Sequence, residues 1–116
     1  MNLVETQSWD SGFVTLTNNH RERDFTTFTF QSPVKGIASI QATNKVYESG
    51  ENLRMFVAVP TYPNPPIDPS GTGMRPTSTD PPVVIDGNVV SVRTLKWAGS
   101  SGGGAIRLQI HLAVFI

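Results

Sequence analysis

The sequence predicts an all-β protein: an antiparallel β-sandwich of six or seven strands with one long proline-rich insertion. Three observations predict it. Hydrophobicity alternates with period two along much of the chain, and no stretch carries the i, i+3, i+4 spacing of an amphipathic helix over three turns. Glycine (10 residues) and proline (9 residues) fall mostly between the alternating runs, as turn formers do. Short runs separated by turns are the signature of two packed antiparallel sheets.

Taken in order, short runs occupy residues 13–17, 25–31 and 36–42. In the second of these, Phe28 and Phe30 alternate with Thr27, Thr29 and Gln31. Residues 52–60 set Leu53, Met55, Val57 and Val59 on one side and Arg54 and Phe56 on the other. Residues 83–85 and 89–97 are separated by Asp86-Gly87, a hairpin turn signal. The last run is the strongest: Ile106, Leu108, Ile110, Leu112, Val114 and Ile116 alternate with Ala105, Arg107, Gln109, His111, Ala113 and Phe115. A chain that ends in a buried strand needs its terminus tied down.

All the prolines but Pro33 lie between Pro60 and Pro82. Loops beyond about 12–15 residues are uncommon in a compact domain and are usually functional or disordered. Proline lowers the entropy lost on ordering, and proline-rich backbone can lie extended along a neighbour. Residues 61–82 are therefore expected to be an arm docking on another protein, through Tyr62, Pro63, Pro65, Pro66, Ile67 and Met74. The competing reading is a loose insertion.

At 116 residues the chain is one domain, large enough to bury a core. Nine basic and nine acidic residues cancel, so nothing calls for nucleic acid or a membrane surface as partner. Charged residues are only 16% of the chain, which fits either a neutral polar surface or one covered by a partner. With no cysteine, disulfides, thiolate metal sites and cysteine nucleophiles are excluded. No signal-peptide pattern is visible at Met1-Asn2-Leu3-Val4-Glu5, so secretion by a signal peptide is not expected.

Catalytic signals are weak. Gly99-Ser100-Ser101-Gly102-Gly103 matches the G-x-S-x-G nucleophile elbow, but that motif needs a strand-to-helix turn in an α/β sheet, and here a strand follows. It reads as a hairpin loop joining Trp97 to Ala105. His20 lies in a polar stretch and His111 on the second face of the last strand, each expected to be a surface or interface histidine. Neither has metal-ligand spacing, and no carboxylate pair stands out. The expectation is a protein with no enzyme activity, metal or cofactor.

One family resemblance goes further. Phe28-Thr29-Phe30-Gln31-Ser32-Pro33, the short strand after it, Asn52-Leu53-Arg54, and a strand ending Leu95-Lys96-Trp97 before a last aliphatic strand together resemble the H-type lectin domain. This is the domain of snail agglutinins that bind N-acetylgalactosamine and of the C-terminal part of discoidins. The resemblance covers roughly residues 9–59 and 88–116. It implies a six-stranded sandwich, a homotrimer, and a sugar site near subunit boundaries, with Arg54 at the position of a sugar-contacting arginine. Ala98 stands where the snail proteins have histidine, Thr94 lies near one of their cysteine positions, and Asp24 is the nearest match to their acidic ligand. Tyr47 and Trp97 would supply aromatic faces, so Arg54, Trp97, Tyr47 and Asp24 are the candidate contacts to a sugar or a subunit.

H-type-lectin-like domains resemble modules of phage structural proteins. The expected role is therefore an oligomeric binding or assembly module of a virion, made in the host cytoplasm: a capsid decoration, cement or tail component meeting other virion or surface proteins. The alternative is a soluble carbohydrate-binding lectin.

Overall fold

The computed structural model describes residues 3–17, 19–47, 53–57, 83–99 and 103–116, with side chains for all of these except 44–47 and 53–57. All the regular structure in them is β: β1 Val4–Asp10, β2 Val14–Leu16, β3 Arg21–Thr29, β4 Gly36–Tyr47, β5 Leu53–Val57, β6 Val83–Asp86, β7 Val89–Ala98 and β8 Gly104–Phe115. Two antiparallel sheets result. In the first, β8 is central, with β1 and β2 along one edge and β4 along the other. In the second, β7 is central, with β3 along one edge and β5 and β6 along the other.

The strict alternation of β8 sets its role. Ile106, Leu108, Ile110 and Val114 are fully buried, and Leu112 nearly so, because each points from the first sheet into the space between the sheets. Phe28, Phe30, Val90 and Val92 meet them from the second sheet, with Leu16, Ile40 and Ala42 in the same cluster. Burying side chains of this size contributes roughly 1.5–3 kcal/mol each. The C-terminus is tied down as the buried strand requires: the Ile116 N–H donates to the Leu3 carbonyl at 2.9 Å, and the Lys35 N–H to the Phe115 carbonyl at 2.7 Å.

β1 and β2 form one row with an irregularity. Val4 to Asp10 pair with Phe115 to Gln109, and pairing resumes one residue out of step at Val14 opposite Ile106. This is a β-bulge, with Gly12 at φ 64°, a conformation glycine adopts at little cost. Asp10 braces it. Its carboxylate accepts from the Gly12 N–H at 2.8 Å, from Arg107 Nε at 2.8 Å and from Gln109 Nε2 at 2.9 Å, while Arg107 Nη2 completes a bidentate pair. The Arg107 side-chain bond, followed by those of Gln109 and Gly12, holds the Asp10 carboxyl well below the usual carboxylate range.

Two expectations change. β1 was not among the expected strands. It pairs with β8 over its whole length, but of its inward residues Glu5, Gln7 and Trp9 only Trp9 packs on the core, so no apolar alternation marks it. The segment after Trp97 is not a hairpin loop either. β7 and β8 lie in different sheets, so they are not the two arms of a hairpin. Asp86-Gly87 does lie at a hairpin turn: Asp86 pairs with Val89, and Gly87 takes φ 60°.

Leu108→Ala is expected to lower unfolding stability by about 2–5 kcal/mol in a urea titration, the cost of a cavity at a fully buried leucine. The Asp10 brace has a pH signature. Its carboxyl is depressed in the folded chain and titrates near about 3.9 when unfolded, so the interaction stabilises the fold above that pH and is withdrawn as pH falls. The melting temperature is therefore expected to fall less steeply in Asp10→Asn than in the parent chain between about pH 6 and about pH 3. Parallel curves would deny the brace a stabilising part.

Candidate functional site

The structure separates the four candidate contact residues. Arg54 of β5 is registered directly opposite Trp97 of β7, so these two are cross-strand neighbours. Tyr47 lies in the other sheet, opposite Ala105 of β8. Asp24 is registered opposite Thr94, whose side chain is buried toward the core, so Asp24 occupies the other face of its sheet from Trp97. Tyr62, Pro63, Pro65, Pro66, Ile67 and Met74 lie outside the described residues, as does Ser101 of the G-x-S-x-G match.

Trp97 is half-buried, and its buried indole N–H has no hydrogen-bond partner among the described residues. Such a group costs roughly 1–3 kcal/mol. On the same face, Arg93 stacks its guanidinium 4.1 Å from the ring centre of Phe25, its partner on β3.

Asp24 belongs to a polar cluster that sequence spacing did not reveal. Glu22 and Asp24 are two apart on β3 and share a face, and Lys96 of β7 is registered opposite Glu22. Lys96 Nζ lies 3.6 Å from Glu22 and 3.7 Å from Asp24, and His20 Nε2 lies 2.8 Å from Glu22 Oε2. The two carboxyls perturb each other in opposite senses. A hydrogen bond from Asp24, then one from His20 and the charge of Lys96, hold Glu22 down to about 2. The same bond to Glu22, with partial burial, pushes Asp24 up. As pH falls, the first proton that the pair takes up therefore goes to Asp24. Among the described residues no group of His, Asp and Glu is arranged to hold a metal ion.

A concavity lies elsewhere, on the outer face of the β1–β8–β4 sheet. It has a volume of about 300 Å³ and is lined by Thr6 and Ser8 of β1, Ser39 and Gln41 of β4, and His111 and Ala113 of β8. Ser8 Oγ and His111 Nδ1 are 2.8 Å apart. Sequence reasoning placed His111 on this face of β8 without its partners, because Ser8 meets it only through a pairing of residues 103 apart. Ser8 and His111 form a hydrogen-bonded couple, but among the described residues no carboxylate orients the imidazole as nucleophilic catalysis requires.

Comparison with family models, curated proteins and solved structures returns no match for the chain.

A carbon-detected NMR titration of the carboxyls is expected to find Asp24 titrating above Glu22, the reverse of their ordinary order. Glu22→Gln should bring Asp24 down toward the usual aspartate range. An Asp24 that titrates identically in both proteins would mean that the carboxyls do not share a proton.

Proposed function

We propose that the chain is a non-catalytic, oligomeric binding and assembly module of a virus particle, a phage decoration, cement or tail component, in which residues 61–82 lie as an arm on a neighbouring protein. One observation carries the reading. β5 and β6 occupy the same edge of β7, with Val57 opposite Thr94 and Val83 opposite Val92. The chain thus leaves this edge at Val57 and rejoins it two β7 residues away, about 7 Å along the strand. An excursion with both ends anchored at nearly one point can project toward a partner without being needed to close the fold.

Counting β1 with β2 and β5 with β6 as single interrupted rows gives three rows per sheet. The H-type lectin resemblance implies six strands as well, and the homotrimer is proposed from that resemblance. Exposed apolar side chains on the β3–β7–β6 sheet, Phe25, Val84 and Ile85, each about two-fifths exposed, suit burial against another subunit or another virion or surface protein. A second reading, a soluble H-type carbohydrate-binding lectin, draws on the register that sets Arg54 beside Trp97.

Light scattering on the full chain is expected to give the mass of three subunits. A variant with residues 61–82 replaced by a short Gly-Ser linker should keep both that mass and the β-type circular dichroism. A full-length monomer at every concentration would sink the assembly reading. A trimer that falls apart only on deletion would make the segment a clasp between subunits. Glycan-array binding abolished by Arg54→Ala would transfer the case to the lectin reading.

A further inference from the structure

The outward side chains of β8 run Ala105, Arg107, Gln109, His111, Ala113 and Phe115. Alanine at position 113 makes a low point between two rings in this row. On its flanks the register places Thr6 of β1 and Ser39 of β4, both small and hydroxylated. One row along, His111 stands between Ser8 and Gln41. In the other direction Phe115 stands between Val4 and Gly36, and glycine at 36 leaves that flank of the ring uncovered; an added Cβ there would reach 3.9 Å from Phe115 Cδ2.

The register of β4 slips between Ile37 and Ser39, beside this low point. Bulges of this kind are over-represented next to sites, and here the irregularity immediately precedes Ser39 opposite Ala113. From His111 to Phe115 the strand rises about 13 Å. The trough is therefore wide enough for one six-membered ring, and its volume of about 300 Å³ stands at the lower end for small-ligand sites.

Its chemistry is selective. Thr6, Ser8, Ser39 and Gln41 each offer groups that donate and accept hydrogen bonds, and the Ser8 contact at Nδ1 leaves His111 Nε2 open. Thr6, Ser39 and Gln41 have no side-chain partner among the described residues. No carboxylate, ammonium or guanidinium lines the trough. On the same face, Asp10 and Arg107 are paired with each other. An ionic ligand would lose its hydration with no opposite charge to replace it. A ligand dense in neutral hydroxyls finds matching groups on both walls and a ring edge beside them.

We infer that this trough binds one neutral saccharide residue, held by hydrogen bonds to Thr6, Ser8, Ser39, Gln41 and His111 over Ala113. It lies in a different sheet from the Arg54–Trp97 pair and stands whether or not the chain assembles on a virion.

The test is an amide NMR titration of the full chain with methyl α-glucopyranoside and methyl α-galactopyranoside, with glucuronate and glucosamine as charged controls. At least one neutral glycoside is expected to give saturable shifts at Thr6, Ser39, His111 and Ala113, with charged sugars binding no tighter. Ala113→Leu, which fills the low point, should weaken binding by about tenfold or more. Ser8→Ala, which leaves the trough open, should weaken it less. Both are first checked for unchanged spectra away from the trough. Absence of shifts with both neutral glycosides overturns the inference. So do shifts centred on Trp97, shifts untouched by Ala113→Leu, and shifts that appear with protein concentration alone, which would mark the face as a contact between copies.

Discussion

All the strand pairing in the described residues runs through two strands. β1, β2 and β4 pair with β8; β3, β5 and β6 pair with β7; no strand pairs without one of these two. The largest fully buried side chains, Leu95, Ile106, Leu108, Ile110, Leu112, Val90, Val92 and Val114, belong to the same pair. Central position and apolar content go together for a physical reason. A strand flanked on both edges and covered on its core face loses most of its water, and only a row of aliphatics gains from that. The remaining strands can then be short, polar or interrupted, because their partner supplies the register and most of the buried surface.

The edges carry those interruptions. A bulge at Gly12 separates β1 from β2, the register of β4 slips after Ile37, and β5 and β6 share one edge of β7. β3 is continuous but carries Arg21, Glu22, Arg23 and Asp24 in succession. Breaks and charges of these kinds blunt a sheet edge against open-ended pairing with other chains.

The sequence was most readable where burial was most complete. The alternation of β8 and the apolar run of β7 are visible because every second position of each faces the core. β4 continues five residues past the alternating run, to Tyr47, paired with β8 throughout, and there Thr43, Asn44 and Lys45 carry no apolar signal in the sequence. β3 likewise begins in what reads as a polar stretch, since Glu22 and Asp24 face Lys96 instead of a hydrophobic neighbour. The sites were less readable still. Asp10 with Arg107, Ser8 with His111, and Glu22 with Lys96 are brought together by registers spanning most of the chain, and no local spacing encodes such a meeting. The proximity of Arg54 to Trp97 is of the same origin.

Leu3 and Ile116 are joined by a backbone hydrogen bond across β1 and β8, while Val57 and Val83 stand close together on the far sheet. The fold thus has two places where its chain can be cut or spliced without bending a strand. β7 and β8 follow β1 to β6 in chain order, so the earlier strands leave the ribosome before either common partner exists. A circular permutant joined across Leu3 and Ile116 and opened within residues 58–82 would reverse that order, placing β6, β7 and β8 at the front. Pairing through distant segments slows folding, so its refolding rate against that of the parent chain would report how much of the delay is due to waiting for the central strands.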